Sequence, residues 1–254
     1  MSAAAERWAA LRGTERFLKG QRLHRNWGRQ ISETAKEQAP LAVILGCIDS
    51  RNSSELVFDM GIGDIFSVRI AGNVAKNKVL GSIEYACGVA GAKLVVVMGH
   101  TSCGAVNAAV KCYGDTASVE RETGSTHLGE LLETIQESID PEDPIPTDDE
   151  SFQRYADGVA VRHVQRTIQK LMSSSALLCK LVKLGRVGVV GALYDVKTGR
   201  VHFCCAEGLL ATALKQESRT VLPRSDESVP ASMVIAQVEG TSEDVQAVPP
   251  RSDS

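Results

Sequence analysis

The stretch AVILGCIDSR, Ala42–Arg51, runs from four apolar residues through a glycine into a thiol, a carboxylate and a guanidinium at alternating positions. A continuously apolar run that opens after Pro40 and closes at Gly46 reads as a strand buried on both faces, Leu41–Leu45. The run KLVVVMG, Lys93–Gly99, reads the same way and is followed at once by His100 and, three residues on, by Cys103. Ile65–Ile70, after the turn signal GIGD at Gly61–Asp64, is a third strand. Helical patterns at Ser53–Met60 and Val79–Val89, and one opening near Ser102, alternate with these strands. Such an alternation, with strands apolar throughout, predicts an α/β fold: a mostly parallel central sheet flanked by helices.

Outward from this centre, Ala3–Leu18 carries Trp8, Leu11 and Leu18 at helical spacing, with Gly20 as a stop. Downstream, Tyr113–Thr126 and the proline-stiffened Asp140–Glu150 read as loops. Helices are expected at His127–Ile139 and Ser151–Leu184, then a strand at Val187–Asp195 and a return strand after the Lys197–Gly199 turn. From Ala206 the apolar runs cease and Ser, Glu, Asp and Pro dominate, a composition that buries too little apolar surface to offset ordering entropy. The expected organisation is one catalytic domain over residues 1–205 and a mostly disordered polar tail over 206–254.

The composition narrows the function classes. With 28 basic and 31 acidic residues among 254, neither sign is in excess, so nucleic acid and anionic membranes are not expected partners. No apolar run approaches the roughly 20 residues of a membrane span. Glu6 and Arg7 interrupt the N-terminal stretch where a secretory signal needs apolar residues, so a cytoplasmic location is expected. Seven cysteines, an odd number, then point to reduced thiols, metal ligands or core packing over a disulfide framework.

Residues just past the carboxyl ends of neighbouring parallel strands converge, most usefully where the strand order reverses. Cys47, His100 and Cys103 are predicted to meet there. Two thiolates and an imidazole suit Zn²⁺, and three protein ligands leave the fourth tetrahedral position for water, as in catalytic sites. Cys87 and Cys112 are the candidates for closing that position, though each falls in a helical pattern and neither forms a Cys-x-x-Cys knuckle. Two thiolates nearly cancel the charge of the metal and make bound water less acidic. Asp49 offers a carboxylate to orient that water, and Arg51 a bidentate partner to keep Asp49 ionised and off the metal. Released by Arg51, Asp49 is placed to become the fourth ligand. For Cys47 and Cys103 the competing reading is packed core thiols. Buried packing is expected for Cys87, Cys112, Cys179, Cys204 and Cys205, and surface or satisfied structural roles for His24, His127, His163 and His202.

CIDSR (Cys47–Arg51) with HTSCG (His100–Gly104) resembles the β-class carbonic anhydrases. The resemblance extends to RWAALRGTERFLKG (Arg7–Gly20), ELVFDMGIGDIFSVRIAGNV (Glu55–Val74), GSIEYA (Gly81–Ala86), VRHVQRTIQKLM (Val161–Met172) and VGALYDVKTGRVHF (Val190–Phe203). It implies one Zn²⁺ per subunit on Cys47, His100 and Cys103, an Asp49–Arg51 dyad, and reversible hydration of CO₂ to bicarbonate and a proton by zinc hydroxide. It further implies a cleft lined by Gln38, Phe66, Ala71 and Tyr85, partly from a neighbouring subunit, in a homodimer or dimer of dimers whose N-terminal helix packs on the partner. Gln38 and the backbone amide of Gly104 are then the candidate donors to a developing oxyanion. Asn52–Glu55 reads NSSE where many members have Val-Pro-Ala-Glu, Thr14 replaces a common Asn, and Ile44 stands in place of a Trp that helps bind regulatory bicarbonate in one subtype. That form of regulation is not expected. Hydrolysis of CS₂ or COS on the same site, and a non-catalytic zinc-binding protein, are the alternative functions.

Overall fold

Strand order in the sheet is β2-β1-β3-β4-β5, and it sets which loops meet. The protein is described here from a computed structural model that covers residues 13–207. Residues 3–12 of the expected N-terminal helix, and residues 208–254 of the expected tail, lie outside the described residues. The strands are β1 (Ala42–Gly46), β2 (Ile65–Arg69), β3 (Leu94–His100), β4 (Gly188–Tyr194) and β5 (Val201–Glu207). The first four are mutually parallel and β5 returns antiparallel on β4.

Every residue of β1, β3 and β4 is buried, as continuous apolar runs require. Their side chains divide alternately between the two faces of the sheet. Val43, Leu45, Val95, Val97, Val189 and Leu193 join the larger core, while Ala42, Ile44, Leu94, Val96, Met98, Val190 and Ala192 join the smaller. Over the larger core lie α4 (Asn77–Glu84), α5 (Gly104–Lys111), α7 (Leu128–Gln136), α8 (Asp149–Ser174) and α9 (Ala176–Lys183). The smaller core is closed by α1 (Gly13–Leu18) and α3 (Ser54–Val57) through Phe17, Val57 and Phe58. Close approach of α8 depends on a missing side chain: a Cβ on Gly191 would lie 2.8 Å from Val164 Cγ1 and 2.4 Å from Cys205 Sγ.

Several boundaries differ from expectation for local reasons. The single helix expected over Ser151–Leu184 is two, because Ser175 leaves the helical region (φ −118°, ψ 101°) and its side chain accepts the Leu178 N–H to cap α9. Tyr113–Thr126, expected as a loop, contains α6 (Ala117–Thr123), which buries only Val119 and so shows no apolar stripe. Helix α2 (Trp27–Thr34) was not anticipated; it buries nothing, and Asn26 caps it by accepting the Arg29 N–H at 3.0 Å. The Ser53–Met60 helix shrinks to the four residues of α3. Val79–Val89 resolves into α4 and one wider turn, Tyr85–Val89, in which Ala90 N–H reaches Tyr85 O. Strand β5 runs through Ala206 and Glu207, past the expected domain end, because its ladder with Val190 and Val189 holds it and not apolar content.

Asp59, just past α3, ties down α1 and the segment that follows it. Its carboxylate is buried, accepts from Arg25 Nη1 at 2.6 Å and Leu23 N–H at 3.2 Å, and pairs with Arg16 Nε. Burial works against this charge, but the two guanidinium groups and the Leu23 N–H outweigh it and hold the carboxyl below its ordinary value. With a depressed folded-state pKa, the pairing contributes stability at and above the ordinary carboxylate range and loses it as pH falls through the folded value. Asp59 also has φ 49°, which Asn tolerates. Asp59→Asn is therefore expected to destabilise the protein by on the order of 3 kcal/mol in urea unfolding at neutral pH, and the gap from the parent should close as pH drops below the ordinary carboxylate range.

Candidate metal centre

Strand β1 leads to β2 on one side of it and to β3 on the other, so the strand order reverses between β1 and β3. Gly46 pairs with Met98 across that junction. One residue past the ladder, Cys47 faces the end of β3, where His100 is the last strand residue and Cys103 caps α5. Ligand atoms of Cys47, His100 and Cys103 all lie within 4.8 Å of one another, and all three residues are buried. The two sulfurs are 3.9 Å apart.

The imidazole is aimed by its neighbour. His100 Nδ1 lies 2.9 Å from Thr101 O, and since a carbonyl only accepts, Nδ1 carries the proton. Nε2 is left with a lone pair, buried and without a hydrogen-bond partner. An orphaned acceptor beside two sulfurs is the arrangement a soft or borderline divalent cation satisfies, and the donor set fits Zn²⁺. The tautomer agrees with metal-binding histidines generally, whose other ring nitrogen donates to a carbonyl or carboxylate.

Without a cation the two thiols titrate against each other. Cys47 ionises first, held below the ordinary thiol value because Cys103 hydrogen-bonds to its thiolate, with help from the backbone N–H groups of Asp49 and Gly72 against the cost of burial. Cys103 is pushed up by the Cys47 thiolate and by burial, although the α5 N–H groups of Val106 and Ala105 favour its charge. A bound divalent cation reverses that penalty, since a coordinating thiol is deprotonated outright.

Asp49 sits at the mouth of the cluster, with Oδ2 3.9 Å from His100 Nε2. Arg51 holds it by two parallel bonds, Nε to Oδ1 at 3.0 Å and Nη2 to Oδ2 at 2.8 Å, and its backbone N–H adds a third to Oδ1 at 2.9 Å. These bonds keep the Asp49 carboxyl ionised, at about 2, against a smaller penalty from burial. Arg51 also reaches Ser102 O at 3.3 Å, so one guanidinium links both motif loops.

Other supports had no clear signature in sequence. Arg69, at the end of β2, donates to the carbonyls of Cys47 and Asp49. Asp157 on α8 accepts the Ser102 N–H at 2.8 Å and holds the loop between His100 and Cys103, where Ser102 has φ 52°. Gly72 N–H donates to Cys47 Sγ at 3.4 Å. Arg69 and Gly72 fall inside the quoted RIAGNV segment, but only contact with Cys47 reveals their use.

The remaining predicted residues are less tightly gathered. Phe66 and Tyr85 meet edge to face, ring centroids 6.3 Å apart. Ala71 opens the short 3₁₀ turn Ala71–Asn73 and precedes Gly72. Gly104 opens α5, so its N–H belongs to the first turn, where helices have no internal acceptor. Gln38 is exposed between α2 and β1, away from any hydrogen bond to the cluster. Cys87 and Cys112 are buried outside the cluster, Cys112 donating to Ala108 O, and neither supplies a fourth ligand among the described residues.

The sequence and the fold match known proteins. The family profile described as "Carbonic anhydrase" matches residues 42–201. A carbonic anhydrase of Mycolicibacterium smegmatis is 39% identical over 198 residues, covering 77% of this chain and 90% of that protein. "Carbonic anhydrase 2" of Mycobacterium tuberculosis is 38% identical over 195 residues, 76% and 89% of the two chains. Among solved structures, the Coccomyxa β-carbonic anhydrase in complex with acetazolamide superimposes with a TM-score of 0.61 at 21% identity, over 77% of this chain and 90% of that one. The chain belongs to the β-class carbonic anhydrase family.

Replacing His100 by Ala removes one of the three candidate donors and leaves two sulfurs. Affinity for zinc, measured by competition with a chelator, is expected to fall by at least about 100-fold, since loss even of an outer-shell partner costs 10- to 100-fold.

Proposed function

We propose that the protein is a zinc-dependent carbonic anhydrase that reversibly hydrates CO₂ to bicarbonate and a proton. The observation that carries this reading is the buried, unpartnered Nε2 of His100 turned toward the Cys47 and Cys103 sulfurs. These three residues would hold the zinc. Bound there, zinc supplies a Lewis acid that makes a proton of water easier to remove.

The chain's own residues supply orientation. Asp49, ionised and clamped by Arg51, accepts a hydrogen bond from the attacking water and turns its lone pair toward the carbon of CO₂. Because Arg51 engages both carboxylate oxygens, Asp49 is held as an acceptor beside the ligands. Phe66, Ala71 and Tyr85 provide an apolar wall suited to a linear, uncharged substrate. Gly104 N–H and Gln38 donate to the oxygen that gains charge as the bond to carbon forms.

Gln38 and Tyr85 are both exposed in the single chain, with Tyr85 53% accessible, which supports a cleft completed by a second subunit. Trp27 and Ile31 of α2, 54% and 58% accessible, add an apolar face for that contact. A homodimer or dimer of dimers fits; a related fold in Sordaria macrospora, TM-score 0.51, is described as tetrameric. All seven cysteines are free, which suits the reducing cytoplasm, and no described helix is long and apolar enough to cross a membrane.

Stopped-flow CO₂ hydration on protein of known zinc content tests the reading. The parent should turn over CO₂, while Asp49→Ala should keep its zinc and lose about 100-fold or more in kcat/KM, the scale of a lost proton-handling group. Equal rates in the two proteins would remove Asp49 from the reaction, and a zinc-loaded parent without hydration activity would refute the function.

A further inference from the structure

His163 lies in the middle of α8, 2% accessible, and both ring nitrogens are engaged. Nε2 is 2.9 Å from Gly72 O and Nδ1 is 3.2 Å from Ser138 Oγ. Because a carbonyl only accepts, Nε2 bears the proton, and Nδ1 accepts from the Ser138 hydroxyl. Burial keeps the ring neutral by pushing its pKa down to about 4, so this one tautomer is present at neutral pH. The charged groups felt by the ring are Glu137 and Arg166, which pair with each other at 2.7 Å and act on it in opposite directions.

On the other side of the Nε2 bond, Gly72 has φ 63° and ψ 21°. Glycine reaches that conformation without strain but does not hold it unaided. One residue therefore joins two groups: its carbonyl takes the His163 proton, and its N–H donates to Cys47 Sγ. Space around it is full, since a Cβ there would lie 2.4 Å from Ile135 Cδ1. A sulfur that accepts a hydrogen bond gives less electron density to a cation, and outer-shell bonds of this kind tune a metal site.

We propose that His163 is a positioning residue for the carbonic anhydrase reaction: by fixing the Gly72 carbonyl it keeps Gly72 N–H on Cys47 Sγ and damps that sulfur as a metal donor. Two thiolates nearly neutralise a divalent cation, so damping one of them restores part of the electron-withdrawing power of the site. The proposal rests on the reading of Cys47 as a metal ligand.

The test uses the full chain loaded with cobalt(II), whose thiolate-to-metal charge-transfer absorption reports sulfur donor strength, alongside the pH profile of CO₂ hydration by the zinc form. If the parent lacks a thiolate–cobalt band, Cys47 is not a ligand and both readings fall. Given that band, His163→Leu, which removes both ring bonds, should move it to longer wavelength and raise the midpoint of the pH profile by about half to one unit, the scale of one hydrogen bond. His163→Gln, whose amide can donate to Gly72 O, should recover at least part of both shifts. A packing role alone would lower thermal stability in both variants and leave band and midpoint in place, and that result overturns the proposal. Should His163→Leu fail to fold, Ser138→Ala, which removes only the donor to Nδ1, should give a smaller shift of the same sign; an unmoved band in that variant is equally fatal.

Discussion

The ladder between β1 and β3 is the constraint on which the site depends. Its register sets Gly46 opposite Met98, so the first residue past β1 and the last residues of β3 emerge side by side. Both strands are buried on both faces, and a slip of one residue would exchange the side chains of the two cores. Cys47 directly follows β1, His100 ends β3 and Cys103 caps α5 three residues on, so all three are placed by the two central strands. A tetrahedral cation demands ligand positions good to fractions of an ångström, and two central strands meet that demand better than loops.

Charge is managed by neighbours of chosen type. Asp49 and Asp59 each face guanidinium groups and are held ionised, one beside the Cys–His–Cys cluster and one as a structural tie. Asp157 has only the Ser102 N–H and the Gln153 amide as donors, and burial raises its carboxyl above the ordinary value. The difference follows from position. Asp49 lies where Arg51 reaches it from solvent, whereas Asp157 lies under the loop it supports.

Around the cluster, polar support is layered. Thr101 O fixes the tautomer of His100, Thr101 N–H is fixed in turn by Tyr194 O of β4, and the Thr101 hydroxyl donates to Asp195. Gly72 N–H joins Cys47 to the 3₁₀ turn, and His163 joins that turn to α8 and Ser138. The substrate side is built differently. Gln38 and Tyr85 are exposed and α2 buries no residue, whereas Cys47, His100 and Cys103 are all buried within the single chain.

Much of this was legible in the chain. The apolar runs at Leu41–Leu45 and Lys93–Gly99 declare buried parallel strands, and the thiol, imidazole, thiol and carboxylate just after them mark a candidate metal site, because residue type and strand period are local properties. Helix α2 was illegible because two apolar residues, Trp27 and Ile31, in eight are too few to set a helical period, α6 because it buries only Val119, and the break at Ser175 because a single serine ends one helix and caps the next. The sequence by itself determined the candidate donor set and the strands that carry it. Only the tertiary structure decided that Arg69 and Gly72 bond Cys47, that Asp157 holds Ser102 and that His163 holds Gly72, because these bonds span 22 to 91 residues of chain and long-range geometry leaves no periodic trace.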